Sequence, residues 1–163
     1  MMKDRELTDT ELEFLEQSNF IESEYSTDAL DQAIAAWLYL KNENKLTITN
    51  VLKTHALLLR TLNPRIAGKL RTVDVRVGPH ICPSFDRVPK LLERWFDNYI
   101  YDVVYEEDGI KQTHIEFERI HPFEDGNGRI GRIILNWQRV KAGLPILVIH
   151  EGPEQFEYYK WFN

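Results

Sequence analysis

The chain of 163 residues is long enough to bury the core of one compact domain, and its 43% hydrophobic and 28% charged residues are typical of a globular protein. Its formal net charge is −6 and it has no run of lysines or arginines, which argues against a nucleic-acid partner. The single cysteine, Cys82, excludes an intramolecular disulfide and favours a reducing, cytoplasmic location. The first ten residues lack an apolar signal region, and no stretch has membrane-spanning length, so we expect no membrane contact.

The first third of the chain shows the periodicity of three helices. Residues 8–17 form the first, capped by Thr8 or Thr10. After a break at residues 22–28, apolar residues recur at helical spacing in the second helix, at Leu30, Ile34, Trp37 and Leu38. Thr47 can cap a third helix, which ends before Asn63-Pro64. On one face of this helix lie Ile48, Val51, Leu52, His55, Leu58 and Leu59.

The rest of the chain predicts a small hairpin and four further helices. In residues 72–85, three valines alternate with Asp74 and Arg76, which indicates a half-buried strand, and a turn-rich stretch follows. Pro89 suits the first turn of a fourth helix, residues 106–112 are expected to form a loop, and a fifth helix covers about 110–120. A sixth helix begins near Gly128 and a short last one at Pro153. The predicted fold is mainly α, a helical bundle with one β-hairpin.

Residues 121–132 read HPFEDGNGRIGR and contain the spacing G-x-G-x-x-G. A dinucleotide-binding turn would need a strand before these glycines and alternating strands elsewhere, but the chain supplies helices. A Walker A loop is excluded because no G-K-[ST] follows. The glycines therefore belong to another kind of loop.

The side chains of this segment suit a polyphosphate. Gly126 and Gly128 let the backbone expose the first N–H groups of the following helix to an anion. Arg129, Arg132 and Asn136 fall on one polar stripe of that helix, and guanidinium groups hold phosphate oxygens through paired hydrogen bonds.

Two residues of the loop suit the chemistry of a phosphate ester. Asp125 suits Mg²⁺, which often takes one or two carboxylates together with substrate phosphates. His121 can accept a hydroxyl proton near neutral pH.

Plain structural interpretations compete with this one. Arg129 can instead pair with Glu124 or Asp125 at the surface, and His121 can be an ordinary loop histidine. Phe123 is interpreted as an apolar anchor for the loop. His55 and His114 are interpreted as structural, and no pair of histidines has zinc-ligand spacing together with Cys82, so we expect no structural metal.

The segment matches the signature H-x-F-x-[DE]-G-N-G-R-x-x-R of the Fic domain family at all eight specified positions: His121, Phe123, Asp125, Gly126, Asn127, Gly128, Arg129 and Arg132. Looser similarity extends over roughly residues 45–162, including AGKLRTVDVRVG, RVPKLLERWF, HIEFERIHPF and GLPILVI. The chain therefore resembles a single-domain Fic fold, with residues 31–163 as its core and residues 72–85 as the family's flap.

This resemblance implies a protein adenylyltransferase that transfers AMP from ATP to a Ser, Thr or Tyr hydroxyl. His121 would deprotonate that hydroxyl, Gly126, Asn127 and Gly128 would hold the phosphates, and Asp125 would bind Mg²⁺. Arg129 and Arg132 would bind the outer phosphates. The flap would pin the target protein by adding a strand. Tyr159 would line the adenine pocket, although an aromatic residue of a terminal helix is as often part of the core. A homodimer is plausible.

A second motif resembles the inhibitory helix of this family, [ST]-x-x-x-E-[GN]. Ser18 and Glu22 match it in residues 1–30, the N-terminal segment, but Ser23 replaces the glycine or asparagine. A carboxylate paired with Arg132 would occupy the place of the γ-phosphate and keep the enzyme inactive. As an alternative, Glu22 is simply one exposed acid among 26 acidic residues.

Several other functions stay open at this stage. The same site can use another nucleotide, as in UMP transfer or a kinase-like phosphate transfer. It can remove AMP from modified proteins if Glu22 positions a water. The chain can also be a non-catalytic ATP-binding or interaction module.

Overall fold

The computed structural model describes residues 7–163, and the first six residues of the predicted N-terminal segment lie outside this range. Within it are seven α-helices and one two-stranded antiparallel hairpin, as predicted for a mainly α fold with a small hairpin. In chain order the elements are α1 (Asp9–Ile21), α2 (Thr27–Lys41), α3 (Ile48–Leu59), β1 (Arg76–Val77), β2 (His80–Ile81), α4 (Val88–Trp95), α5 (Glu107–Ile120), α6 (Asn127–Lys141) and α7 (Pro153–Tyr159).

The first three helices begin where side-chain caps satisfy their free N–H groups. The Thr8 hydroxyl accepts from the Glu11 N–H at 3.1 Å, so the cap of α1 is Thr8. Ser26 caps α2, and Thr47 forms a reciprocal capping box with Asn50 at the start of α3. The first helix is longer than the predicted 8–17, because its apolar face continues through buried Ile21.

Helix α6 runs through the centre of the fold. It packs against α1, α2, α3 and α5, and Ile130, Ile133 and Trp137 join the main hydrophobic core. Its polar stripe is buried as well: Asn136 is fully buried and bonds the backbone of Leu147 with both its amide groups. Asn136 is therefore a structural residue, whereas Arg129 lies near Asp125 of the preceding loop and Arg132 contacts the end of α1.

The predicted loop at residues 106–112 was wrong, because α5 begins at Glu107. Glu107 and Asp108 lie in its first turn, where acidic groups interact favourably with the helix dipole. Ile110 is buried and fixes this turn against the body, which offsets the low helix propensity of Gly109.

The predicted hairpin is present but shorter and more exposed than expected. Arg76 pairs with Ile81, and Val77 with His80. Val77 and Ile81 are 46% and 75% exposed, so the expectation of a half-buried strand was wrong. The alternating valines indicate the pleat of a strand, which does not by itself decide whether the strand is buried. Here the hairpin extends away from the helices, so neither of its faces is covered by residues that the structure describes.

In the part of the chain that the structure describes, no helix has both the length and the apolar character needed to cross a membrane.

Candidate active site

The glycine-rich loop enters α6 through a left-handed residue. Gly126, the N-cap of α6, has φ 86°, a conformation that other residues rarely adopt. A Cβ there would also come within 3.3 Å of the His55 ring and of the Leu59 side chain. The first N–H that bonds back to the loop is that of Ile130, which donates to the Gly126 carbonyl at 3.0 Å. The N–H groups of residues 127–129 precede it and have no helical carbonyl to bond, so they suit an anion.

Asn127 closes the loop on itself. Its side-chain oxygen accepts from the Phe123 N–H at 2.9 Å, and its amide donates to the Phe123 carbonyl at 2.7 Å. Because both groups of the side chain are engaged, only the backbone N–H of Asn127 is left for a phosphate. Phe123 is fully buried, which confirms its interpretation as an apolar anchor.

His55 supports the same loop from α3. Its ring stacks on Phe123 with centroids 3.8 Å apart, and its Nδ1 accepts from the Gly68 N–H at 2.9 Å. Nε2 lies 2.9 Å from the Asp125 carbonyl and therefore carries the proton. Burial lowers the pKa of His55 to about 4, so the ring is neutral at physiological pH. His55 is a structural residue, as the sequence indicated.

Arg129 is a buried cation with unused donors. The residue is only 3% exposed, and neither Nε nor Nη1 has a hydrogen-bond partner among residues 7–163. Its Nη2 lies 3.7 Å from the Asp125 carboxylate. The pairing with Asp125 named in the alternative interpretation is therefore present, but the arginine is buried rather than at the surface, and the pair leaves two of its donor atoms without a partner among the described residues. Buried polar groups are nearly always paired, and these donors fit an anionic ligand.

Asp125 offers one carboxylate at the mouth of the loop. Its Oδ1 accepts from the Gly126 N–H at 2.8 Å, while its side chain is 60% exposed. Among residues 7–163 no group of three or more His, Cys, Asp or Glu side chains could hold a metal. A single carboxylate nevertheless fits Mg²⁺, because this ion commonly takes one or two protein carboxylates and completes its shell with phosphates and water.

Arg132 is held by the end of α1. Its Nε donates to the Ser18 hydroxyl at 2.8 Å, and its Nη2 donates to the Ser18 carbonyl at 3.1 Å and to Glu22 Oε2 at 2.7 Å. Arg132 and Ser18 are buried, whereas the Glu22 side chain is 34% exposed. The two residues of the N-terminal motif therefore both contact the second arginine of the signature.

The Glu22 carboxylate lies against the start of α6. A Cβ on Gly128 would come within 2.5 Å of Glu22 Oε2 and within 2.9 Å of Arg132 Nη1, so a larger residue there would have to displace this ion pair. The carboxylate is thus an anion already located at the helix N-terminus. The cavity beside it measures about 120 Å³ and is lined by Glu22, His121, Glu124, Asp125, Gly126, Asn127, Gly128 and Arg129. Pockets for drug-sized ligands usually exceed about 300 Å³, so this space is small for a nucleoside triphosphate.

His121 ends α5 and faces the same cavity. It is the C-cap of α5 in a left-handed conformation, with φ 51°. Its Nδ1 lies 3.3 Å from the Glu118 carbonyl and so carries the proton, which leaves the Nε2 lone pair free. Burial lowers the pKa of His121, and the charge of Arg71 lowers it further, against the raising effect of that carbonyl. A neutral imidazole with a free Nε2 is suited to accept a proton.

Glu118 is a site residue that the sequence did not indicate. Its carboxylate lies 3.9 Å from His121 Nδ1 and directly against Gly131, and its Oε1 has no hydrogen-bond partner in the described part of the chain. Burial raises the pKa of Glu118 to about 7, although the nearby Arg132 opposes the shift. This side chain lies one helical turn before His121, but a glutamate on a charged helix has no sequence signal that separates it from its neighbours.

In the C-terminal helix α7, it is Tyr158 that contacts Arg132, and not the neighbouring Tyr159 that the sequence predicted as a site residue. The Tyr158 hydroxyl lies 2.7 Å from His114 Nε2 and accepts from Arg132 Nη1 at 3.3 Å. Tyr158 and His114 are both buried. Tyr159 is 43% exposed, its hydroxyl accepts from Gln155 at 3.1 Å, and it does not line the cavity beside Glu22. The alternative that Tyr159 is a core residue was wrong, and its part in an adenine pocket stays a prediction.

Comparison with protein families identifies the same part of the chain. Residues 45–138 match the model of the Fic/DOC family, which includes the glycine-rich loop and most of α6.

Relatives of known name resemble most of this chain. It is 28% identical over 140 residues to "Protein adenylyltransferase Fic" of Nematostella vectensis, covering 82% of this chain and 32% of that protein. It is 31% identical over 121 residues to the protein of the same name in Drosophila melanogaster, covering 72% of this chain and 24% of that protein. The chain thus spans a third or less of these relatives.

Solved structures share the fold. Fic-1 (residues 134–508) of C. elegans superposes with a TM-score of 0.81 at 21% identity, over 96% of this chain and 55% of that one. A Fic-domain-containing signalling protein of Bacteroides thetaiotaomicron superposes with a TM-score of 0.78 at 22% identity, over 91% of this chain and 69% of that one.

Proposed function

The chain belongs to the Fic/DOC family, and from this premise we propose that it is an adenylyltransferase that transfers AMP from ATP to a Ser, Thr or Tyr hydroxyl of a target protein. One observation carries the proposal: a buried arginine, Arg129, has two unpaired donors beside a helix N-terminus and a neutral histidine, His121. An anion binder and a proton acceptor at one cavity are what transfer from a nucleotide to a hydroxyl requires.

His121 is the general base of the proposed reaction. Its Nε2 takes the proton of the target hydroxyl as that oxygen attacks the α-phosphorus of ATP. A bond forms between the hydroxyl oxygen and the α-phosphorus, and the bond from the α-phosphorus to the bridging oxygen of the β-phosphate breaks. The products are an AMP ester of the target, pyrophosphate and protonated His121, which then releases its proton to solvent.

The start of α6 holds the phosphates in this proposal. The N–H groups of residues 127–129 and the guanidinium of Arg129 bind the inner part of the triphosphate, and Arg132 binds its outer part. These groups are fixed before the nucleotide arrives, because Gly126 and Asn127 hold the loop and residues 129–139 of α6 are buried. Preorganised donors stabilise the charge that develops on the leaving pyrophosphate.

Asp125 is the protein ligand for Mg²⁺ in this proposal. When bound there with the phosphates, Mg²⁺ would neutralise part of the negative charge of the triphosphate.

Glu22 keeps the proposed enzyme inactive. Its carboxylate bonds Arg132 and lies against Gly128 in the first turn of α6, where the outer phosphates of ATP have to bind. Two negative groups cannot share one anion site without a large electrostatic cost. ATP in a productive pose therefore requires Glu22 to move away, and the end of α1 with it.

The flap, residues 72–85, holds the target segment. Its two short strands form a two-stranded sheet, and the exposed Val77 and Ile81 can contact an added strand. Main-chain hydrogen bonds fix the target segment, and the hydroxyl to be modified then points towards His121.

The test uses the Glu22→Gly variant with Mg²⁺ and ATP labelled at the α-phosphate, in the presence of a cell lysate. We expect covalent label on the protein or on a lysate band, and none with Glu22→Gly/His121→Ala as the matched control. Label only from ATP labelled at the γ-phosphate would establish phosphate transfer instead. No label from either position, with bound nucleotide detected, would indicate a binding module and overturn the proposal.

A further inference from the structure

Arg71 lies between α3 and the flap, and it is a buried arginine without an acidic partner in its hydrogen bonds. The residue is 4% exposed. Within the range that the structure describes, its guanidinium donates only to main-chain carbonyl groups: to Val73 at 2.9 Å, to Pro83 at 2.5 Å, to Ile120 at 3.3 Å and to His121 at 2.7 Å. A desolvated cation is costly unless its donors are satisfied, and here four carbonyl dipoles do so.

These four carbonyls belong to three separate parts of the chain. Val73 enters the flap and Pro83 leaves it, while Ile120 and His121 end α5. The backbone N–H of Arg71 also donates to the Pro122 carbonyl at 3.0 Å. A single side chain thus ties both ends of the flap to the segment that carries the proposed base.

The position on α5 explains why a cation is suitable there. The last carbonyls of a helix have no helical partner and carry partial negative charge, so arginine interacts favourably with them. His121 is left-handed with φ 51° although it is not glycine, a conformation that costs about 1 kcal/mol. The bond from Arg71 Nε to the His121 carbonyl helps to fix this backbone and the direction of its imidazole.

We propose that Arg71 is a positioning residue, which fixes the flap relative to the backbone of His121. The target hydroxyl, carried by a segment bound to the flap, then lies next to Nε2 of His121. The proposal rests on the proposed function of the site. Arg71 touches neither the nucleotide-binding N–H groups nor the cavity, so it acts through His121 and the flap. The rate of such a reaction depends on the distance between the reacting atoms, and a displacement of about 1 Å can lower it about 100-fold.

The test compares Arg71 variants with a matched control in the Glu22→Gly background. Arg139 is also a buried arginine, 7% exposed, whose Nε donates to a carbonyl, that of Pro145, at 2.7 Å. Arg71→Gln should lower the rate of AMP incorporation from α-labelled ATP by about 10- to 100-fold. Arg139→Gln should leave this rate unchanged, although it should lower the free energy of unfolding about as much as Arg71→Gln does. The affinity for α,β-methylene-ATP, measured by calorimetry, should stay within about twofold in both.

The pH profile separates the charge of Arg71 from its hydrogen bonds. The Glu118 carbonyl and the charges of Glu22 and Asp125 favour the protonated form of His121, and the charge of Arg71 opposes them. The Glu118 carboxyl also lies 3.9 Å from Nδ1, but its raised pKa of about 7 keeps it neutral on the acidic side of that value. In the Glu22→Gly background one of these carboxylates is absent from every protein compared. Arg71→Gln should move the acidic limb of the rate to higher pH, whereas Arg71→Lys keeps the charge and should leave the limb in place. Lysine lacks the planar guanidinium group and cannot bond all four carbonyls, so the rate of AMP incorporation by Arg71→Lys should still fall.

Hydrogen exchange tests the coupling without activity. In Arg71→Gln the amides of Cys82 and His121, which donate to Val75 and Phe117 carbonyls, should exchange faster than in Arg139→Gln. Equal exchange in both variants, or equal rates of AMP incorporation, would overturn the role of Arg71. A Glu22→Gly protein that takes no label would instead overturn the proposed function, and the exchange of these two amides would still decide whether Arg71 couples the flap to His121.

Discussion

The carboxylate of Glu22 lies 2.7 Å from Nη2 of Arg132, a residue 110 positions further along the chain. The same carboxylate is the nearest atom to the place where a side chain on Gly128 would begin. One acidic group thus neutralises a buried arginine and also faces the open N–H groups of α6. It stands where a phosphate of a bound nucleotide would be stabilised, and its removal should expose that position.

Glu22→Gln should raise the affinity for ATP. Glutamine keeps the size of the side chain and an acceptor for Arg132 but lacks the negative charge that opposes a phosphate. We expect the Kd for α,β-methylene-ATP with Mg²⁺ to fall by about tenfold or more, which corresponds to about 1.4 kcal/mol. Calorimetric titration measures it, with Glu24→Gln as the control for a lost charge nearby. Equal Kd values for the two variants would contradict competition between Glu22 and the phosphates.

Ser23→Gly should stabilise the end of α1. Ser23 follows the C-cap of this helix and is left-handed with φ 60°. Its N–H donates to the Phe20 carbonyl, as in a common helix-ending motif in which glycine is preferred. We expect glycine there to raise the free energy of unfolding by up to about 1 kcal/mol, less the entropy that glycine gains in the unfolded chain. Urea unfolding measures it, and a Ser23→Ala variant as stable as Ser23→Gly would refute the conformational explanation.

Tighter closure of α1 has a consequence for the proposed activity. If Ser23→Gly holds Glu22 more firmly on Arg132, AMP incorporation should fall below that of the wild type. In the Glu22→Gly background the same substitution should have no effect, because there is no carboxylate left to hold. An effect of equal size in both backgrounds would show that Ser23 acts by another route.

The helices were predictable from the sequence where periodicity and caps agree. Thr47 and the apolar face after it predicted α3 closely, and Pro153 predicted the start of α7. The start of α5 was not predictable in this way. Its Gly109 and its acidic residues indicate a loop locally, and the burial of Ile110 against the rest of the fold decides the outcome.

The site was predictable as far as its residues are adjacent in the chain. Residues 121–132 contain the proposed base, the glycines and the two arginines in one segment. Arg71 and Tyr158 were missed because their partners lie far away in the chain: Arg71 bonds His121 across 50 positions, and Tyr158 bonds His114 across 44. Such pairs are created by tertiary packing, and no local pattern marks them.

Glu118 should make the stability of the fold fall as pH rises. Burial raises the pKa of its carboxyl from 4.5 to about 7 in the folded chain. Between these two values the unfolded chain has released the proton and the folded chain still holds it. The folded state therefore binds more protons, and its stability declines with pH across this range, then levels above about 7. Glu118→Gln should abolish this contribution, which we expect to be of order 1–3 kcal/mol.

The measurement is the difference in free energy of unfolding between the wild type and Glu118→Gln at a series of pH values from about 4.5 to about 8. Because every other titrating group is common to both proteins, the difference isolates this carboxyl. We expect the free energy of unfolding of Glu118→Gln to increase relative to that of the wild type as pH rises. A difference that stays constant over the range would show that Glu118 is ionised in the folded protein.

Tyr158→Phe should destabilise the fold far more than Tyr159→Phe. Both changes remove one hydroxyl from neighbouring residues of α7, so each is the control for the other. Loss of the Tyr158 hydroxyl leaves His114 Nε2 and Arg132 Nη1 without this partner in the buried interior, which costs about 1–3 kcal/mol. The exposed Tyr159 hydroxyl bonds only Gln155, and water replaces that bond at a cost within about 0.5 kcal/mol. Urea unfolding of both variants decides it. Equal losses would mean that the Tyr158 hydroxyl does not hold Arg132.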